Sequence, residues 1–218
     1  MKSKGEIWHL LRKDFLLEFR TGYAISGIFL YLFGTVYIVS RAFQQIKPES
    51  WNALFWIIIL FASVNAVTKS FVQESNQRQL YFYSIANPIA IIISKIIYNI
   101  LLLLALSFLT WGALSFMTID PILKPDVFSL TLLLGSIGFS INFTFISAIA
   151  VKANNNATLM AILSFPLVIP VLLLLVKLTA ISIGLVAQDI TNDILLLLGI
   201  DLLLLAMTLI LYPFLWRD

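Results

Sequence analysis

IAIIISKIIYNILLLLALSFLTWGALSFM, residues 89–117, is the stretch that decides what kind of molecule this chain makes. A single charged side chain, Lys95, interrupts it. An α-helix rises about 1.5 Å per residue, so roughly 20 apolar residues cross a hydrocarbon core of about 30 Å. This stretch exceeds one crossing and is expected to tilt or protrude. Five more long apolar stretches lie outward from it, at 22–40, 51–68, 127–151, 157–176 and 194–216. In lipid, every backbone polar group needs an internal partner, which favours helices over open strands. Of the 218 residues, 61% are apolar and 11% charged, with a mean hydropathy of +1.00. That is too little polar surface for a fold that faces water. The fold class is therefore an all-α integral membrane protein with six transmembrane helices.

Helix-start chemistry brackets these stretches. Ser50 precedes the second, Asn87-Pro88 the third, Asp126 the fourth and Asp193 the sixth. Pro121 and Pro125 punctuate the connection between the third and fourth. Six crossings put both termini on one side. That side carries Lys2, Lys4, Arg12, Lys13, Arg20, Lys69, Arg78, Lys152 and Arg217, against Arg41, Lys47 and Lys124 on the other. The positive-inside rule then makes both termini cytoplasmic. A net charge of +3 beside anionic headgroups does not point to nucleic acid. The first apolar stretch spans a full bilayer and ends without a small-residue cleavage site, so it is expected to be retained.

Two units follow: residues 1–21 as a cytoplasmic amphipathic helix, and 22–218 as a six-helix membrane domain. In the first, Trp8, Leu11, Phe15 and Phe19 recur at helical steps with Ile7 nearby, while Glu6, Arg12 and Lys13 are polar. Such a helix lies in the headgroup layer or packs on the bundle, and both placements stay open.

Much chemistry is missing. The chain has no cysteine, so no thiolate ligand or disulfide. It has no G-x-x-x-x-G-K-[ST] loop to cradle nucleotide phosphates. His9, in the N-terminal helix, is the one histidine. No acid, base and nucleophile converge, so the chain is read as non-catalytic, with no metal and no directly bound cofactor.

Ionisable residues at membrane depth are functional candidates by default. Asp201 sits about two turns into the sixth span, and Lys177 ends the fifth on the same side, so the two are expected to pair near the interface. Lys95 lies about two turns inside the third span, placed to snorkel to the cytoplasmic headgroups. Asn65, Asn99 and Asn142 fall within spans, where such side chains usually join helices. Gly135, Ser136, Gly138 and Ser140 form a small-residue patch for close helix approach. Pro166 and Pro170 remove ladder bonds from the fifth span and mark a hinge or a fit to a curved neighbour.

The connection 69–87 is the most unusual cytoplasmic element. Its polar centre holds Glu74 and Arg78, flanked by Phe71, Val72 and the run Leu80-Tyr-Phe-Tyr83. Aromatic edges around a charged middle suit docking on a cytosolic protein, or else seat in headgroups.

Phe71-Val-Gln-Glu74 leading to Asn87-Pro88 and Lys95, then Leu132-Leu-Leu-Gly135, then Ser164-Phe-Pro166-Leu-Val-Ile-Pro170-Val, carry a resemblance in their order and spacing. The chain resembles the CcmB-like haem exporter B subunits over nearly its whole length. Leu80 is followed by Tyr81 where that family often has an acidic residue. The resemblance implies an ABC-2-like exporter bundle, the permease subunit of an ABC transporter for haem delivery in cytochrome c biogenesis. It implies a separate cytosolic ATPase that binds the ATP, other cytochrome c maturation membrane subunits, a periplasmic haem chaperone, and haem as cargo or as chaperone-bound load. On it, residues 69–87 resemble a coupling helix, with Phe71, Glu74, Arg78 and Leu80 as contacts. Six spans are half a translocation unit, implying a homodimer or a pairing with another membrane subunit. Other readings are an ABC-2-type exporter of another hydrophobic substrate, an ATP-independent carrier, and a scaffold subunit.

Overall fold

The computed structural model describes residues 2–21, 23–43, 45–72, 87–152 and 157–214. They form seven α-helices and, among the described residues, no strand: α1 (Lys2–Thr21), α2 (Tyr23–Ala42), α3 (Pro48–Val72), α4 (Pro88–Met117), α5 (Pro125–Lys152), α6 (Ala157–Ser182) and α7 (Thr191–Leu211). Helices α3 to α7 are long and apolar enough to cross a membrane, while the apolar portion of α2, Ser26–Ala42, is shorter.

The helix starts differ from expectation by a few residues, for local reasons. Helix α3 begins at Pro48 rather than after Ser50, with the Trp51 amide bonded to the Lys47 carbonyl at 2.9 Å. Helix α5 begins at Pro125, so Asp126 lies in its first turn and the Phe128 amide reaches the Lys124 carbonyl. In both, proline takes the first helical position, where its missing N–H is no loss. Helix α4 starts as read: Asn87 Oδ1 accepts from the Ile89 amide at 3.0 Å, with Pro88 next. Helix α7 starts at Thr191, whose amide and hydroxyl both donate to Asp189 Oδ1. It stops at Leu211, five residues short of expectation, with Pro213 close behind.

Helix α6 runs to Ser182, six residues beyond expectation. It ends in a Schellman motif: the Leu185 amide donates to the Ala180 carbonyl and the Gly184 amide to Ile181. Gly184 has φ +83°, the conformation that calls for glycine, and its Cα sits beside the exposed Leu123 side chain.

Helix α5 is the centre of the bundle, packed by α3, α4, α6 and α7; α2 lies on α3 and α4, and α1 lies mainly on α4. Near the ends of α2 and α4 remote from residues 73–86, the core is aromatic. Phe55 stacks on Trp51 at 5.3 Å and touches Phe128 at 5.3 Å, and Trp111 meets Phe128 edge-on at 5.2 Å. Toward the other end the contacts turn polar. Asn99 Nδ2 donates to Thr144 Oγ1 at 2.8 Å, and Ser140 Oγ to the Ile96 carbonyl at 2.9 Å, joining α4 to α5. At the aromatic end itself, Asn52 Nδ2 donates to the Val176 carbonyl and Trp56 Nε1 to Thr179 Oγ1, joining α3 to α6. Lipid gives helices no hydrophobic reason to associate, so such bonds and close packing hold them together.

Candidate functional site

Two buried ionic features and one connection are the candidates. The first joins α1 to α4. Lys95 Nζ lies 3.2 Å from Asp14 Oδ1, and both side chains are only 4% exposed. Lys13 approaches the same oxygen at 3.4 Å. Leu10 packs with Ala90 and Ile91, and Phe15 meets Tyr98 edge-on at 5.2 Å. This corrects the expectation that Lys95 snorkels to headgroups. Helix α1 covers it, and a buried ammonium is held by a counter-ion instead. The packing also settles the two placements left open for α1, which is seated on the bundle. The face used is Ile7, Leu10 and Asp14; Trp8, placed on the apolar stripe from sequence, is 65% exposed. Asp14 is the residue that sequence reasoning missed. Its signal was there, an acid spaced with Ile7 and Leu10 on one helical face.

The second feature is at the other side of α5. Lys177 Nζ donates to Asp193 Oδ1 at 2.9 Å, not to Asp201 as expected. Helices α6 and α7 run antiparallel, so the register that brings residue 193 beside 177 carries 201 about two turns farther along, beyond reach. Asp201 is buried against Gly138, with neither carboxyl oxygen hydrogen-bonded among the described residues. Asn142 is buried and donates to the Gly138 carbonyl of its own helix at 3.1 Å, rather than to a neighbouring helix.

The small-residue patch is a real point of close approach. A Cβ on Gly135 would sit 3.0 Å from the Trp56 ring and 3.1 Å from Leu175. Pro166 and Pro170 lie inside α6, which continues as helix through both; each faces outward. Of the connection residues, Phe71 falls in the last turn of α3, while Glu74, Arg78 and Leu80 lie outside the described residues. Helices α3 and α4 therefore bring residues 72 and 87 to the end of the bundle where Asp14 and Lys95 pair. A cavity of about 460 Å³, lined by Ser40, Phe43, Ile46, Met117 and Ile119 among others, opens at the opposite end. Among the described residues no cluster of His, Cys, Asp or Glu has the makings of a metal site.

This helical framework fits a known family, described as CcmB protein, whose profile matches residues 5–216. The chain belongs to the CcmB family. No curated protein matches it. CcmB proteins are the membrane component of a haem-export ABC system in cytochrome c biogenesis, a system with an ATPase partner. The CcmB match reaches from α1 through α7, so the N-terminal helix belongs to the family unit as much as the spans do.

Proposed function

We propose that this chain is the permease subunit through which a separate cytosolic ATPase drives haem delivery in cytochrome c biogenesis. The observation that carries the reading is the CcmB match across residues 5–216. Six spans, counting α2, leave both termini in the cytoplasm of a bacterial inner membrane, and the charge asymmetry of the loops supports that orientation. The protein binds no cofactor itself; ATP sits on the partner, and haem, free or on a periplasmic chaperone, is the load. Other maturation membrane subunits or a second copy complete the translocation unit.

In this mechanism the 69–87 connection docks in the ATPase, with Phe71 and Leu80 as packing contacts and Glu74 and Arg78 as charge contacts. ATP binding displaces the cytoplasmic ends of α3 and α4. Because α1 is fastened to α4 through Lys95 and Asp14, the N-terminal helix travels with that end, and its outward face with Trp8 lies along the headgroups. Pro166 and Pro170 let α6 bend where two ladder bonds are missing.

The test is copurification of the ATPase with the tagged full-length chain from membranes. Phe71→Ala and Glu74→Ala are expected to lower the recovered ATPase severalfold while the chain itself accumulates normally. Unchanged recovery in both overturns the assignment of the connection.

A further inference from the structure

Asp201 is a buried carboxyl for which the proposed mechanism has no use. It projects from α7 toward α5 and is 3% exposed. A Cβ on Gly138 would come within 2.7 Å of its Oδ1 and 3.0 Å of Val171 Cγ1, so the glycine makes the room in which the carboxyl lies against the α5 backbone. Neither oxygen accepts a hydrogen bond among the described residues.

No donor reaches the carboxyl among the described residues. Asn142, one turn along α5, gives its Nδ2 to the Gly138 carbonyl, and its buried Oδ1 has no donor among the described residues. Ionised carboxylate oxygens only accept, whereas a carboxylic acid brings one O–H donor. A buried seat without a donor penalises the charged form, so the protonated acid is the one it suits. The charged groups on the packed elements leave Asp201 alone. Residues 127–150 of α5 contain nothing titratable, α6 contributes only Lys177, and α7 only Asp193 besides Asp201. Lys177 and Asp193 are paired to each other about two turns away.

We propose that Asp201 is a proton-binding site inside the bundle, held against Gly138 of α5. The ligand is a single proton on a carboxylate oxygen. While α7 is seated on α5, the proton is sequestered; it exchanges when that contact opens. The site stands whether or not a cytosolic motor drives the bundle.

The experiment is infrared absorption of the full-length chain in lipid nanodiscs at neutral pH, with and without carbon-13 aspartate. The native chain is expected to show a protonated-carboxyl carbonyl band that moves on aspartate labelling. Asp201→Asn should abolish that band, and Asp201→Glu should replace it with one insensitive to the label. Absence of a label-sensitive band in the native chain overturns the proposal, as does its persistence in Asp201→Asn. Should Asp201→Asn fail to fold, the native chain and Asp201→Glu decide the matter alone.

Discussion

Helices α5 and α7 look alike in sequence, yet 83% of the α5 span is buried within the protein against 22% of the α7 span. The more apolar of the two is the one on the outside. In water the reverse would hold, because burying apolar area is what drives a chain inward. In lipid, apolar content separates nothing, and what draws a helix to the centre is small residues and hydrogen-bonding side chains. Helix α5 buries Ser136, Ser140, Asn142, Thr144 and Ser147, while α7 turns Leu195, Leu196, Leu202, Leu203 and Ile210 outward.

The contrast breaks if interior polar groups prove dispensable, and the strongest attempt is at Lys95. Lys95→Met leaves Asp14 buried with only the partly exposed Lys13 ammonium, 3.4 Å away, and is expected to cost up to about 3–5 kcal/mol, the penalty for orphaning half of a buried pair. Unfolding in mild detergent measures it. The double change Lys95→Met with Asp14→Leu should recover most of the loss; no recovery would show that the pair is not the cause.

Gly135→Leu presses a side chain into Trp56 and Leu175 and should destabilise by about 1–3 kcal/mol. Its counterpart on the outer helix, Gly199→Leu, meets open space and should stay within about 0.5 kcal/mol. Equal effects at the two glycines would sink the comparison. A smaller step comes from Asn99→Leu, which removes the bond to Thr144 between α4 and α5. A loss of about 0.6 kcal/mol is expected, as for other interhelical bonds in membranes.

The smallest effect is at the exposed start of α7. Hydrogen bonds from the Thr191 hydroxyl and amide hold the Asp189 carboxyl below its ordinary value. A lowered value stabilises the fold above the unfolded-state value, and that contribution fades as pH falls through the folded one. The protection of the 191–194 amides, measured against their intrinsic exchange rates at each pH, should therefore fall on acidification. In Asp189→Asn, which accepts without titrating, this pH dependence should disappear.

Much of this was legible in the chain. Uninterrupted apolar length gave the helices, Asn87-Pro88 gave the start of α4, and Gly135 to Ser140 gave the close approach. What stayed hidden was which way each helix faces. Position along a span gives the depth of Lys95 and so points it to the headgroups, whereas a partner on α1 depends on docking between distant segments. Both Asp193 and Asp201 lie on α7, and only the register of two antiparallel helices decides which of them Lys177 meets. Glu74, Arg78 and Leu80 belong to a stretch without helical or strand periodicity in the sequence, outside the described residues.

The carbonyl of Ser182 accepts two amides at once, from Leu123 at 3.1 Å and Lys124 at 3.0 Å. Those bonds clasp the turn before α5 to the last residue of α6, with Gly184 wedged beside Leu123. The opposite tips, Lys152 and Ala157, are joined through the chain itself by residues 153–156, so the two rods are pinned at both ends. Neither can slide or swing far without the other, and α5 with α6 shifts as a single lever.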